Sequence, residues 1–209
     1  MTSSSRNGRT SVRSFRISRS VLIGIVAALV LRALLVQFYT VESGSMAPTL
    51  QADDRLLVWK LARFTEVERG DIVILDGTDT LAGGVPPETL FETVGRIFGI
   101  ERLENRLFVK RVIAVGGDHL VCCDSDARLV LNGQPLREPY LPTGENPSDI
   151  AFDIAVTEGH VWVMGDSRSS SRDSRELLGR PGGGLIPINM IVGRVAAVAW
   201  PPARMATVS

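Results

Sequence analysis

Apolar positions fall into two patterns along this chain, and the change comes near residue 40. From Val21 to Phe38 the sequence is apolar apart from Arg32 and Gln37. As a helix this stretch is about 27 Å long, close to a bilayer's hydrocarbon thickness, so the pattern predicts one membrane-spanning helix over 21–38. Beyond it come short apolar runs bounded by turn residues, the signature of strands. They are Arg55–Trp59, Asp71–Leu75, Leu107–Val115, Leu129–Leu131, His160–Met164 and Ile191–Trp200. The long run at 107–115 stops at Gly116-Gly117-Asp118, and Asn132-Gly133 predicts a hairpin. The fold class expected is therefore mostly β, with an N-terminal anchor. Residues 76–106 interrupt the pattern as an inserted flap or helix. Pro86-Pro87-Glu88 starts it, and Leu90, Phe91, Val94, Ile97 and Phe98 share one face. It would lie on the sheet or on the membrane. Tyr140–Asp153 and Ser167–Gly184 read as long polar loops.

Charge refines the picture. The chain holds 23 basic and 23 acidic residues, a net charge of zero that gives no support to nucleic-acid binding. The distribution is uneven. Arg6, Arg9, Arg13, Arg16, Arg19 and Arg32 precede the first acidic residue, Glu42. Residues 1–20 thus read as a basic disordered tail held in the cytoplasm, which places 39–209 outside the plasma membrane as a single external domain. Arg32 would snorkel to the headgroups. A cleavable signal segment or a buried core helix over the same apolar stretch are the alternatives. Ile186–Trp200 is apolar but carries Asn189 and Arg194 and reads as a strand, so no second span is expected. Cys122 and Cys123 are adjacent, and a labile bridge, two thiols or an intermolecular link all remain open. No metal-ligand cluster and no cofactor motif is present.

Candidate chemistry begins with a scarcity. Of the 23 basic residues only Lys60 and Lys110 are lysine. Arg cannot lose its proton in a protein, whereas a buried Lys can. Lys110 lies in the apolar run Phe108-Val109-Lys110-Arg111-Val112-Ile113, where burial disfavours the ammonium and would leave a neutral general base. Ser45, in Ser43-Gly44-Ser45-Met46-Ala47-Pro48-Thr49-Leu50, is the hydroxyl it would activate. An extended Ser-x-Ser pair points both hydroxyls to one side, one as nucleophile and one as oxyanion donor. Only His119 and His160 could act as a histidine base, and no Gly-x-Ser-x-Gly elbow occurs. Gly165-Asp166-Ser167-Arg168-Ser169-Ser170-Ser171-Arg172-Asp173-Ser174-Arg175 follows a strand and offers groups to orient a buried Lys. Each segment alone also has a plain reading: a loop serine, a strand lysine that reaches solvent, and a solvated polar loop.

Together, and in order, these segments resemble type I signal peptidase, the membrane-anchored Ser/Lys endopeptidase that removes signal peptides from exported proteins. The basic tail and apolar span resemble its anchor. Ser43 to Leu50 resembles its nucleophile box, and Arg69-Gly70-Asp71-Ile72-Val73 the next. Lys110 to Asp118 resembles the general-base box, and Met164-Gly165-Asp166 through Ser171-x-Asp173-Ser174-Arg175 the last. The resemblance implies Ser45 as nucleophile and Lys110 as base. The Ser43 hydroxyl and the Ser45 N–H would form the oxyanion hole. Ser171 would orient the Lys amine, and Asp173, Arg175 and Asp166 would support its loop. Val41, Met46, Leu50, Phe108 and Val109 would line shallow apolar pockets that admit small side chains, typically Ala, at substrate positions −1 and −3. Partners implied are secreted preproteins and the lipid bilayer, with the secretion machinery as a candidate. Glu42, Ser167 and Ser170 depart from the family's usual residues, and 119–158 is too short for the large second β-domain of some members. Two rivals share the fold: a self-cleaving repressor-type Ser/Lys protease, and a catalytically silent membrane-tethered binding module.

Overall fold

The computed structural model describes residues 21–27, 35–60, 66–77, 100–102 and 106–208. The expected tail at 1–20, the middle of the expected span and the expected helix at 86–98 lie outside the described residues. Contacts divide the chain into Met1–Arg32 and Ala33–Ser209. In the first unit residues 21–27 are helical and exposed. Among the described residues no helix is long and apolar enough to cross a membrane. The expected boundary at residue 38 needs correction: Val36, Gln37 and Phe38 pair as a strand with Trp59, Val58 and Leu57.

The second unit is built of strands. In chain order they are β1 (Val36–Thr40), β2 (Arg55–Trp59), β3 (Ile72–Asp76), β4 (Ile100–Arg102), β5 (Leu107–Val115), β6 (His119–Cys122), β7 (Leu129–Leu131), β8 (Gln134–Pro135), β9 (Phe152–Ala155), β10 (His160–Met164), β11 (Ile186–Pro187), β12 (Ile191–Trp200) and β13 (Ala206–Thr207). The larger sheet runs β11-β10-β5-β3-β12-β2-β1-β4, with β13 added to β12. Its pairs are antiparallel except β1 with β4. Register shifts in β10 against β5 and in β12 against both β2 and β3 mark bulges, which bend a strand and steepen its twist.

Burial on both faces explains the continuous apolar runs. In β3, Ile72 and Ile74 enter one core with Leu56, Val58, Leu107, Val109 and Val195. Val73 and Leu75 enter a second with Val112, Val161, Val163 and Ile191. A strand covered on both sides loses the alternation of a half-exposed one. The third core joins Ile113, Trp162 and Met164 to a smaller sheet, β8-β7-β6-β9. This sheet forms from the segment too short for a large second domain. The hairpin between β7 and β8 turns on Asn132 and Gly133, both at positive φ, as a two-residue turn of this twist requires. The stretch read as a polar loop up to Asp153 ends inside β9, where Phe152 is buried and stacks 5.1 Å from Trp162. Cys122 and Cys123 form a disulfide with each other at the end of β6, against this third core.

Space, rather than φ, fixes Gly193 in β12. A Cβ there would lie 2.7 Å from Val58 Cγ1 and 3.0 Å from the Trp59 carbonyl oxygen. Gly193→Ala is therefore expected to destabilise the fold by about 1–3 kcal/mol, as overpacking does. Thermal unfolding of the detergent-solubilised chain checks this, and an unchanged midpoint would mean that the β2–β12 contact yields freely.

Candidate active site

Three segments converge on one cleft. The first is the turn after β1. Val41 N donates to the Asp54 carbonyl and Asp53 N to that of Val41, each at 2.9 Å, which holds the segment beside β2. Bonds from Ala47 N to Gly44 O and from Leu50 N to Met46 O close it around Ser45. Asp54, buried, receives Arg204 Nε at 2.8 Å and Nη2 at 2.9 Å, and Arg204 Nη2 also donates to Thr49 O. Met46 and Leu50 are sunk in the first core, so the turn cannot swing away without exposing them.

The second segment is β5. It pairs with β3 from Leu107 to Arg111 and with β10 from Arg111 to Val115. On the β10 side, no strand among the described residues pairs with Leu107–Lys110. Lys110 is only 2 % exposed. Its Nζ lies 2.9 Å from Ser45 Oγ and 2.9 Å from the Val109 carbonyl oxygen. As an ammonium it donates to both. As a neutral amine it can accept the Ser45 proton over the same distance. Burial pulls its pKa down to about 8, against the opposing pull of Asp173 and Asp166.

The third segment is 165–178, expected to support Lys110 and to belong to a long polar loop over Ser167–Gly184. It is instead two short 3₁₀ turns with Arg168, Asp173, Ser174 and Arg175 buried. Asp166 takes a bidentate grip from Arg111, Nε at 2.9 Å and Nη2 at 2.8 Å, and accepts from Thr49 Oγ1 at 2.5 Å. Arg111 Nη1 reaches the Gly70 carbonyl oxygen, so the Arg69-Gly70-Asp71 turn braces the strand that carries Lys110. Asp173 is held by Arg175 Nε and Nη2, both at 2.9 Å, and by Gly165 N at 3.0 Å. Burial alone would raise the Asp173 carboxyl, but Arg175 and the Gly165 N–H outweigh it and hold it below the usual carboxylate range. Ser167 N donates to the carbonyl oxygen of Ser45 itself at 3.1 Å.

Most of the expected site residues gather here. Ser43 Oγ lies 3.3 Å from Ser45 Oγ. Val41, Met46, Phe108 and Val109 line a cleft of about 300 Å³ with Ser43, Ser45 and Lys110. Leu50 does not line it: fully buried, it belongs to the core beneath the turn. Ser171 Oγ is buried beside Asp173, whose carboxylate it helps to stabilise, and the expected bond from Ser171 to Lys110 is not formed. His119 instead meets Asp153, and His160 meets Thr157 and the Glu158 carbonyl, and neither lines the cleft. Among the described residues no three His, Cys, Asp or Glu side chains gather as metal ligands would.

The signal peptidase model, peptidase S26, matches residues 14–200. The chain belongs to this family. It is a hydrolase of the serine peptidase kind. The probable signal peptidase I of Mycobacterium leprae is 31% identical over 94% of this chain and 78% of its own length. The signal peptidase I of Mycobacterium tuberculosis is 32% identical over 96% and 76%. That of Bacillus licheniformis is 34% identical over 77% of each chain. A solved signal peptidase I from Enterococcus faecalis aligns with a TM-score of 0.41 at 20% identity, over 62% of this chain and 97% of that one.

Several residues that brace the peptidase's site without lining its cleft were not singled out from the sequence. Tyr140 lies under Arg111 at 4.1 Å and donates to Glu138 Oε1, which also pairs with Arg168. Only the fold brings that segment to the site. Gly165 had a nearer signal, as the residue after a buried strand and before a polar one. A Cβ on it would stand 2.2 Å from Ser171 Oγ and 2.5 Å from the Ser45 carbonyl oxygen.

Two predictions follow from this packing. Gly165→Ala pushes Ser45 off Lys110. A displacement near 1 Å costs on the order of 100-fold in turnover, so kcat for a cleavable preprotein should fall by about that factor while the circular dichroism spectrum stays native. Lys110→Met, in contrast, should raise stability. The Lys110 pKa is about 8 in the fold against the ordinary lysine value of 10.5. The unfolded chain then holds the proton more tightly. The resulting destabilisation, roughly 3 kcal/mol, is complete below pH 8 and vanishes as pH rises through 10.5. Denaturant unfolding should find the variant more stable at pH 7, with the gap closing towards pH 10. A gap constant with pH would mean that the amine is not desolvated.

Proposed function

We propose that this chain is a membrane-anchored signal peptidase that cuts preproteins after small residues, using Ser45 as nucleophile and neutral Lys110 as base. The observation that carries this reading is the buried 2.9 Å contact between Lys110 Nζ and Ser45 Oγ. The names of the relatives supply the substrate class.

The chemistry proceeds in two halves. Ser45 Oγ attacks the scissile carbonyl carbon as its proton passes to the Lys110 lone pair. The oxyanion that develops takes hydrogen bonds from Ser43 Oγ–H and from the Ser45 N–H. The C–N bond then breaks, Lys110 returns the proton to the leaving amine, and the signal peptide remains as an ester on Ser45. Lys110 next deprotonates a water that attacks the ester, and the proton returns to Ser45 as the peptide leaves. Ser171 Oγ, buried beside Asp173, is a group the amine can turn to during these transfers. The unpaired Leu107–Lys110 edge suits a peptide that adds as a strand, with its alternate side chains meeting the walls of Val41, Met46, Phe108 and Val109. The apolar stretch from Val21 up to the start of β1 would anchor the enzyme, with the arginine-rich tail in the cytoplasm and the catalytic domain outside the plasma membrane. Anchoring would confine enzyme and preprotein to one surface and raise their effective concentration.

The test is cleavage of a preprotein with an Ala-x-Ala site by the detergent-solubilised chain. Wild type should cut after the −1 Ala. Lys110→Arg keeps the charge, cannot be neutral, and should be inactive though folded. The base must be unprotonated, so kcat/KM should fall tenfold per pH unit below its midpoint, which lies near 8. Equal cleavage by the variant would remove Lys110 from the mechanism. No cleavage by either would favour a silent binding module.

A further inference from the structure

We infer that Cys122 and Cys123 form a redox-modification site, at which a small dithiol opens the bridge between them and thereby slows the active site. They are the chain's two cysteines. Their bond is not a staple of the fold. A cross-link of that kind acts by closing a loop in the unfolded chain, and the gain shrinks with the length of the loop. Neighbours in sequence enclose no loop. Opening the bridge therefore leaves the fold standing and changes what packs on it. Both cysteines are partly exposed, at and just beyond the end of β6, within reach of a small reagent.

What packs on the bridge leads to the nucleophile. Cys122 Sγ lies 3.9 Å from the Ser148 carbonyl oxygen, and both cysteines sit against the third core with Leu136 and Tyr140. The segment 138–148 is bonded in turn to the loop after β10. The Pro147 carbonyl accepts Arg168 Nη1 at 2.7 Å, Glu138 pairs with the same guanidinium, and Glu145 accepts from Ser169 N and Oγ. Arg168 Nε holds the Gly165 carbonyl at 3.0 Å, and Ser167 N holds the Ser45 carbonyl at 3.1 Å. In the reaction a thiolate of the dithiol attacks one cysteine sulfur, and the other leaves and takes up a proton. The reagent's second thiol then resolves the mixed disulfide, so the reagent ends as a disulfide and both cysteines end as thiols. Two bonded sulfurs have become non-bonded and must move apart, and each has gained a hydrogen. The Ser148 carbonyl and the third core stand in their way, so the turn at 147–148 shifts and takes Arg168 with it. The bridged state is the one that holds Lys110 Nζ 2.9 Å from Ser45 Oγ, so reduction is the direction that loses activity.

The effect on turnover rests on the peptidase reading of Ser45 and Lys110, whereas the opening of the bridge does not. The experiment treats the detergent-solubilised full chain with dithiothreitol and counts freed thiols by the mass added with a maleimide. Cleavage of the Ala-x-Ala preprotein and amide hydrogen exchange are followed on the same samples. Two thiols should appear, exchange should quicken at Ser148 and across 165–171, and kcat should fall about tenfold, a coupling of ordinary size between linked sites. KM should hold, since no residue of 138–148 lines the cleft. Reoxidation should restore kcat and protection together, and Cys122→Ala/Cys123→Ala should be folded and indifferent to the reductant. Freed thiols with an unchanged kcat overturn the inference, as does a bridge that dithiothreitol leaves intact in the folded chain, or a double variant that slows equally in reductant. Absence of cleavage by the oxidised wild type overturns the peptidase reading, and exchange across 165–171 then decides the inference by itself.

Discussion

One amine held out of water governs this structure. Lys110, only 2 % exposed, enters the site from a strand paired at that point with β3, opposite Val73, and the sheet must therefore hold a group that prefers solvent. Burial at the end of the β5–β10 pairing strips the ammonium of water without surrounding it with carboxylates. The nearest acids, Asp166 and Asp173, already belong to Arg111 and Arg175. Their negative charge is largely cancelled before it reaches the amine. Had either carboxylate lain unpaired beside Lys110, it would have favoured the ammonium and raised the pKa again.

This arrangement accounts for the division of labour between the two basic residue types. The buried cations that brace the site, Arg111, Arg168 and Arg175, are all arginine, whose planar fork satisfies two carboxylate oxygens at once and never loses its proton. The buried cation whose pKa is drawn down to about 8, and which can therefore lose its proton, is the lysine. The bracing pairs also link segments far apart in sequence. Arg111–Asp166 ties β5 to the loop after β10, and Arg168–Glu138 ties that loop to the segment after β8.

The sheet was legible where apolar runs were long and bounded by turns. Arg55–Trp59, Leu107–Val115, His160–Met164 and Ile191–Trp200 begin and end as their patterns indicate. The pattern failed where composition and environment part. Val36–Phe38 is as apolar as the stretch before it, so nothing local separates strand from span. The loop at 165–178 looks solvated because it is polar, but its polar groups pair with one another and with backbone, which lets them be buried. Ser45 and Lys110 were readable because their chemistry is rare in such surroundings. Leu50 was misplaced because adjacency to a nucleophile in sequence does not decide which way a side chain points. Tyr140 and Glu138 carry no local sign of their role, which exists only once the smaller sheet folds back.

The handover of β5 from β3 to β10 at Arg111 sets a length. A peptide lying along the open edge can share backbone hydrogen bonds only with 107–110, about 13 Å of strand, before β10 occupies the place. The groove is thus a short ruler. On the proposed reading it would measure a few residues before the cut and leave the backbone beyond them unmeasured, so that proteins with nothing else in common would present the same object to the enzyme.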